Sequence, residues 1–266
     1  ELDLAIAPLA PVLIMPSIGS YFGGDLISGI LATGLDEAAE TAMLIDVGTN
    51  AEVVLGNRDW LIACAGAAGP ALEGGVARMG MKAGPGAVEH VRIERSRWQL
   101  AWETVDNAPA LGICGSGLID LVAELYLARV IDFRGKFNPS AAEQSTEHGD
   151  FLRRLLIRSK EGWEFIVVPA DAAANGNAVM LAQTDLDAIM RSKAAMYAIL
   201  TTLVSQVGID FSELERIYVA GAFGKHIDPQ HAITLGMLPD LPLSTYVPVG
   251  NSSLRGAEKI LLSEPC

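Results

Sequence analysis

The chain has 266 residues, half of them hydrophobic, with 27 glycines and a formal net charge of −13. That length supports a sizeable core, and the abundance of small and apolar residues suits a tightly packed α/β protein. A pI near 4.7 argues against a nucleic-acid partner, which normally demands clustered Lys and Arg. No run of about 18 or more uninterrupted apolar residues predicts a membrane span, and the proline-broken Leu9–Met15 stretch lacks the marks of a signal peptide.

A cytoplasmic, reducing setting is therefore expected. The three cysteines, Cys64, Cys114 and Cys266, are too few and too far apart for a disulfide framework, a zinc site or an iron–sulfur cluster within the chain. The opening at Glu1 without Met reads as a piece of a longer protein.

In chain order, apolar spacing from Ile18 to Thr33 predicts an amphipathic helix capped by Ser17 or Ser20 and closed by Gly34. Ala42 to Val47 is a short apolar run without alternation, as in a strand buried on both faces. Ala51 to Leu55 and Trp60 to Ala65 follow as a hairpin turning at Asn57-Arg58-Asp59. A second hairpin is expected from Val88 to Ile93 and Trp98 to Val105, with Trp98 and Trp102 on one strand face, and the Gly-rich turn after Ile113 feeds a helix.

Phe133 to Glu164, the most charged stretch, reads as an excursion or disordered insert with a helix-prone piece at Phe151 to Arg158. The last third alternates helix Asp185 to Val207, strand Arg216 to Ala220, helix Pro229 to Leu235, strand Tyr246 to Val249 and helix Ser252 to Leu262. Hairpin strands followed by alternating helices and strands imply an α/β, ribonuclease-H-like mixed sheet with helices on both faces. Residues 1–40 are expected as a helical or linker segment from a preceding lobe, and 41–266 as one lobe with an inserted α+β region at about 87–183.

Four turns carry possible chemistry. In Asp46-Val47-Gly48-Thr49-Asn50, a carboxylate at the end of a buried strand is costly unless it meets a cation or donors, and Gly48 lets backbone approach a phosphate. Asp46 would hold Mg²⁺, or merely cap a turn. In Gly112-Ile113-Cys114-Gly115-Ser116-Gly117, backbone N–H groups at a helix N-terminus favour an anion, though a helix–sheet packing turn has the same composition. Val219-Ala220-Gly221-Ala222-Phe223-Gly224 offers bare backbone to a flat adenosine, and Gly250-Asn251-Ser252-Ser253 supplies Asn251 or Ser252 as cap or ligand contact. All four follow predicted strands, where open α/β sheets bind ligands. His90, His148, His226 and His231 show no metal-ligand spacing and read as surface or capping residues.

The segments LIDVGTNAEVVLG, AAGPALEGG, GICGSGLIDLVAEL, VAGAFG and VGNSSLRGA together resemble the C-terminal half of the reductive activators of corrinoid proteins, which carry an ATPase domain of the actin/Hsp70/sugar-kinase superfamily. The resemblance implies ATP and Mg²⁺ at Asp46, Gly48, Thr49 and Asn50, phosphate or ribose at Gly115, Ser116 and Gly117, and adenosine at Gly221, Ala222, Phe223 and Gly224. Glu73 is the further candidate catalytic carboxylate. It also implies a corrinoid protein of a methyltransferase or O-demethylase system as partner, reduction of its cob(II)amide to cob(I)amide, a homodimer, and a [2Fe–2S] cluster only in a preceding domain. A docking module and a small-molecule kinase of the same superfamily are the alternatives.

Overall fold

A computed structural model describes residues 7, 10–19, 22–48, 50–66, 75 and 77–263, without the side chains of Ala222, Phe223 and Lys225. Strand β1, Ala42–Val47, lies at the centre of a five-stranded sheet. Its lack of alternation has a direct cause: Met43, Ile45 and Val47 point into one apolar layer while Ala42 and Leu44 point into another. The antiparallel β2, Ala51–Asn57, and β3, Trp60–Gly66, extend the sheet on one side. On the other side β10, Arg216–Ala220, pairs parallel to β1, and β11, Tyr246–Gly250, pairs parallel to β10. The order β11-β10-β1-β2-β3 is the mixed sheet expected from the chain.

Helices cover both faces. α4, Gln183–Val207, packs on β2 and β3 and ends on Gly208 in the left-handed conformation. On the opposite face lie α1, Gly24–Thr33, and α7, Ser252–Leu262, which pack on each other. Gly256 allows that contact, because a Cβ there would stand 1.9 Å from the carbonyl oxygen of Ser28. Leu26, Ile30 and Leu35 join Leu44 and Ala220 in the layer between these helices and the sheet. Burying each such large side chain contributes roughly 1.5–3 kcal/mol relative to leaving it in water.

α1 is shorter than its apolar spacing suggests. It starts at Gly24 rather than near Ile18, which is exposed, because the Gly23-Gly24 pair is a poor helix former and interrupts the periodicity. Ser20, one of the expected caps, lies outside the described residues.

Between β3 and α4 the chain builds two further three-stranded sheets. β4, Ala87–Glu94, sits between β5, Gln99–Thr104, and β6, Gly112–Ile113. β8, Gly162–Val168, sits between β7, Leu156–Ser159, and β9, Val179–Ala182. α2, Gly115–Leu127, packs on β4, and α3, Glu147–Leu155, precedes β7.

The reading of 133–164 as disordered is corrected here. Phe151, Leu152 and Leu156 are buried and belong to the same core as β1. α3 is polar on average yet strongly amphipathic, with Thr146 accepting from Gly149 N at 3.1 Å, acids in its first turn and Arg153 and Arg154 in its last. Its low average hydropathy hid the two buried apolar side chains, Phe151 and Leu152. The expected tryptophan pair is corrected too. Trp98 lies in the turn before β5 with φ +50° and stacks on His148 at 4.3 Å, so it shares no strand face with Trp102.

Candidate functional site at the strand ends

Asp46, next to last in β1, sits where three strands finish. In register it faces Ala220 of β10, and Ala220 faces Gly250 of β11. Since β1, β10 and β11 run parallel, their C-terminal ends form one row across the sheet, the edge at which α/β sheets hold ligands. Chain leaving β10 enters α5, Gly221–His226, and then α6, Pro229–Leu235, which Asp228 caps by accepting from Gln230 N at 2.8 Å.

Two of the predicted turns meet there. Gly221 has φ +85°, and a Cβ on it would lie 2.8 Å from Val47 O and 3.1 Å from Asp46 Oδ1. Glycine is therefore required both by the left-handed backbone and by the approach of the neighbouring turn. Within that turn Gly48 N donates to Asn50 O at 2.8 Å. Thr49 lies outside the described residues, as does Glu73, and nothing is stated of the side chains of Ala222 and Phe223.

The electrostatics of this edge are unbalanced. Burial, and then the negative charge of Asp25, raise the Asp46 carboxyl above its ordinary value. Across the hairpin, Glu52 is raised by burial, by Asp46 and by Asp25, with partial relief from its own backbone and from Asn50. Among the described residues no cationic side chain offsets either group. A hard cation would relieve that repulsion, and Mg²⁺ takes one or two carboxylates with phosphate oxygens. The donor set thus fits the ion that the sequence implies.

The remaining predicted residues have packing duties of their own. Gly115, Ser116 and Gly117 open α2, whose body packs on α6 and touches α5. Gly117 could not carry a side chain, since its Cβ would stand 2.2 Å from Val88 O, and Ser116 Oγ is 3.3 Å from the buried Cys114 Sγ. Gly224 is pressed on β10 in the same way, 2.3 Å from Val219 O to a hypothetical Cβ. Asn251 caps α7, its Oδ1 accepting from Leu254 N at 2.9 Å.

Asp25 and Glu52 were not singled out from sequence. Glu52 was within reach, because a hairpin centred on Thr49 must place residue 52 opposite residue 46. Nothing local announces Asp25. The histidine reading needs correction at His231, which is largely buried and 2.7 Å from Asp120; His90 is at the surface as expected, though 2.9 Å from the same carboxylate. Among the described residues no group of three or more His, Cys, Asp or Glu is arranged to hold a metal by itself, so an ion at Asp46 would need oxygens from a ligand. No helix among them is long and apolar enough to cross a membrane.

Comparison with known proteins adds the family. Residues 40–265 match the model described as the C-terminal domain of RACo, the ASKHA domain, and residues 1–38 match that of the RACo middle region. The chain is 33% identical over 264 residues to the corrinoid activation enzyme RamQ of Eubacterium limosum, covering 99% of this chain and 43% of that protein. It is 27% identical over 259 residues to a Co(II) methylated amine-specific corrinoid protein reductase of Methanosarcina barkeri, covering 95% and 45%. A solved structure titled reductive activator for corrinoid,iron-sulfur protein superposes with a TM-score of 0.85 at 41% identity, covering 94% of this chain and 38% of that one. The chain spans less than half the length of these relatives.

Proposed function

The chain belongs to the family of the C-terminal ASKHA domain of RACo, and from that premise we propose that it is the nucleotide-binding lobe of an ATP-hydrolysing reductive activator of a corrinoid protein. The observation that carries the reading is Asp46: a carboxylate raised by burial and by Asp25, beside the bare backbone of Gly221, at the row of parallel strand ends. The relatives named as activating or reducing corrinoid proteins support the choice of partner.

In this proposal Asp46 holds Mg²⁺, directly or through water, and Gly48, Thr49 and Asn50 turn donors toward phosphate. Gly115, Ser116 and Gly117 present the head of α2 to phosphate or ribose. The backbone of Gly221, Ala222, Phe223 and Gly224 lies against adenosine, and Asn251 rigidifies the neighbouring turn by capping α7. Glu73 is the carboxylate assigned to orient water. When bound, Mg-ATP supplies the free energy for the uphill reduction of cob(II)amide to cob(I)amide. The chain's part is to close on the nucleotide, and closure must change affinity for the partner if hydrolysis is to be coupled to reduction.

The electron comes, in the same proposal, from a [2Fe–2S] domain that this chain does not include. We assign residues 41–266 to the lobe, with about 87–183 as its insert, and residues 1–40 to the segment joining it to a preceding lobe. A homodimer, a methyltransferase system as the setting and a cytoplasmic location complete the assignment. Calorimetry of Mg-ATP binding and corrinoid reduction assays on the natural full-length protein test it. Loss of both in Asp46→Ala is the expected result; full corrinoid reduction by that variant overturns the reading.

A further inference from the structure

Away from the strand ends, α2 carries a second pair of carboxylates. Asp120 is 3% exposed and accepts from two sides: His90 Nδ1 of β4 lies 2.9 Å from Oδ2, and His231 Nδ1 of α6 lies 2.7 Å from Oδ1. One helical turn on, Glu124 accepts from Ile93 N at 3.2 Å and lies 3.5 Å from His231 Nε2. The spacing of four residues puts both carboxylates on one face of α2, toward α6. Asp228 at the head of α6 and Arg95 after β4 are the other charges facing the group.

This cluster joins two of the glycine turns. The head of α2 is Gly115-Ser116-Gly117, and only Ile227 and Asp228 separate α6 from α5, which begins at Gly221. A second, independent feature makes the tie consequential. Between α5, α6 and the sheet lies an apolar cavity of about 90 Å³ lined by Val47, Met196, Val219, Gly224, Ile227 and Met237, so the packing of α5 on the strands leaves a gap there. α5 also rests on β1, β10 and β11, and its attachment to α6, which packs on α2 and bonds to it through His231, ties it to the helix that carries the other glycine turn.

We propose that Asp120 and His231 are positioning residues for the nucleotide, a clamp that sets the separation between the turn at the head of α2 and the turn of α5. The inference rests on the nucleotide-binding reading above and deepens it. Neither side chain touches the nucleotide; each acts through the turn its helix carries. A buried ion pair is a costly way to add stability, since an apolar contact of the same volume often does as well, but it fixes direction and register.

The ionisation state gives the clamp a signature. Burial alone would lower His231, yet bonds to Asp120 and Glu124 hold it up to about 9. Its charged form therefore contributes fully below the ordinary histidine range, and the contribution is lost as pH rises through about 9. Glu124, opposed by burial but held by His231 and Ile93 N, lies below its ordinary value and stays ionised throughout that window.

The test is calorimetric Mg-ATP affinity, with ATPase kcat and KM, on the natural full-length protein and its variants from pH 7 to pH 10. Wild type is expected to bind about tenfold more weakly at pH 10 than at pH 8, and His231→Gln about tenfold more weakly at pH 7.5 with a flat profile, the loss falling on Kd and KM rather than kcat. His231→Lys, which keeps a cation against Asp120, restores tight binding and removes the fall near pH 9. Should Asp120→Asn fail to fold, the two His231 variants decide. Variants with wild-type affinity and an unchanged pH profile overturn the clamp while leaving nucleotide binding intact. A wild-type protein that binds no Mg-ATP overturns both.

Discussion

Two pairs of carboxylates, Asp46 with Glu52 and Asp120 with Glu124, meet opposite fates in one chain. The first pair sits at the strand ends with Asp25 nearby and no cationic side chain in attendance among the described residues, and both carboxyls are raised. The second is enclosed by His90, His231 and a backbone N–H, and Glu124 is lowered despite its burial. Burial is common to both, so neighbours decide the outcome. A pair with every charge answered is complete as it stands, whereas a pair in deficit is where an external cation gains most.

The sharpest way to break this comparison is to treat both pairs alike. Asp120→Ala leaves His231 with Glu124 as its one bonded carboxylate and is expected to cost about 3 kcal/mol of unfolding free energy in urea titration, because the shorter half of a buried ion-pair network is removed. Asp46→Asn should do the reverse in the absence of nucleotide, leaving stability equal or higher by relieving repulsion. Its Mg-ATP affinity should fall about 100-fold, roughly 2.7 kcal/mol, by calorimetry. If Asp46→Asn instead destabilised the nucleotide-free protein as Asp120→Ala does, the deficit at the strand ends would be illusory.

Smaller effects sharpen the same contrast. Gly221→Ala forces a side chain into φ +85° and against Val47 O, so thermal unfolding should report a loss of about 1–3 kcal/mol. Asn251→Ala removes only the cap of α7 and should cost about 1 kcal/mol. Acidification separates the pairs by sign. As pH falls through the raised values of Asp46 and Glu52 their penalty is relieved, whereas the stabilisation from Glu124 is lost only when pH drops below its ordinary carboxylate range. The relief on acidification should shrink in Asp46→Asn, as followed by urea titration at each pH.

Much of the fold was legible because local signals were strong. β1 at Ala42–Val47, β10 at Arg216–Ala220, α6 at Pro229–Leu235 and α7 at Ser252–Leu262 fall where apolar runs and caps placed them. α5 was missed because six residues with two glycines carry no helical periodicity. α3 was misjudged because amphipathicity, not average polarity, decides burial in a short helix. At the site, the order of glycine turns after strands anticipated the meeting of Asp46 and Gly221. The bond between His231 and Asp120 spans 111 residues and has no local trace, so only the folded topology creates it.

The contact of α1 with α7 bears on how such a protein can be divided. Sequence families part between residues 38 and 40, yet Leu26 and Ile30 from before that seam complete the layer over Leu44 and Ala220 from after it. A shortened polypeptide starting at the seam would leave an oily sheet surface bare beside α7 and should clump on expression. The smallest unit that keeps itself in solution is one that borrows its roof from the neighbouring family.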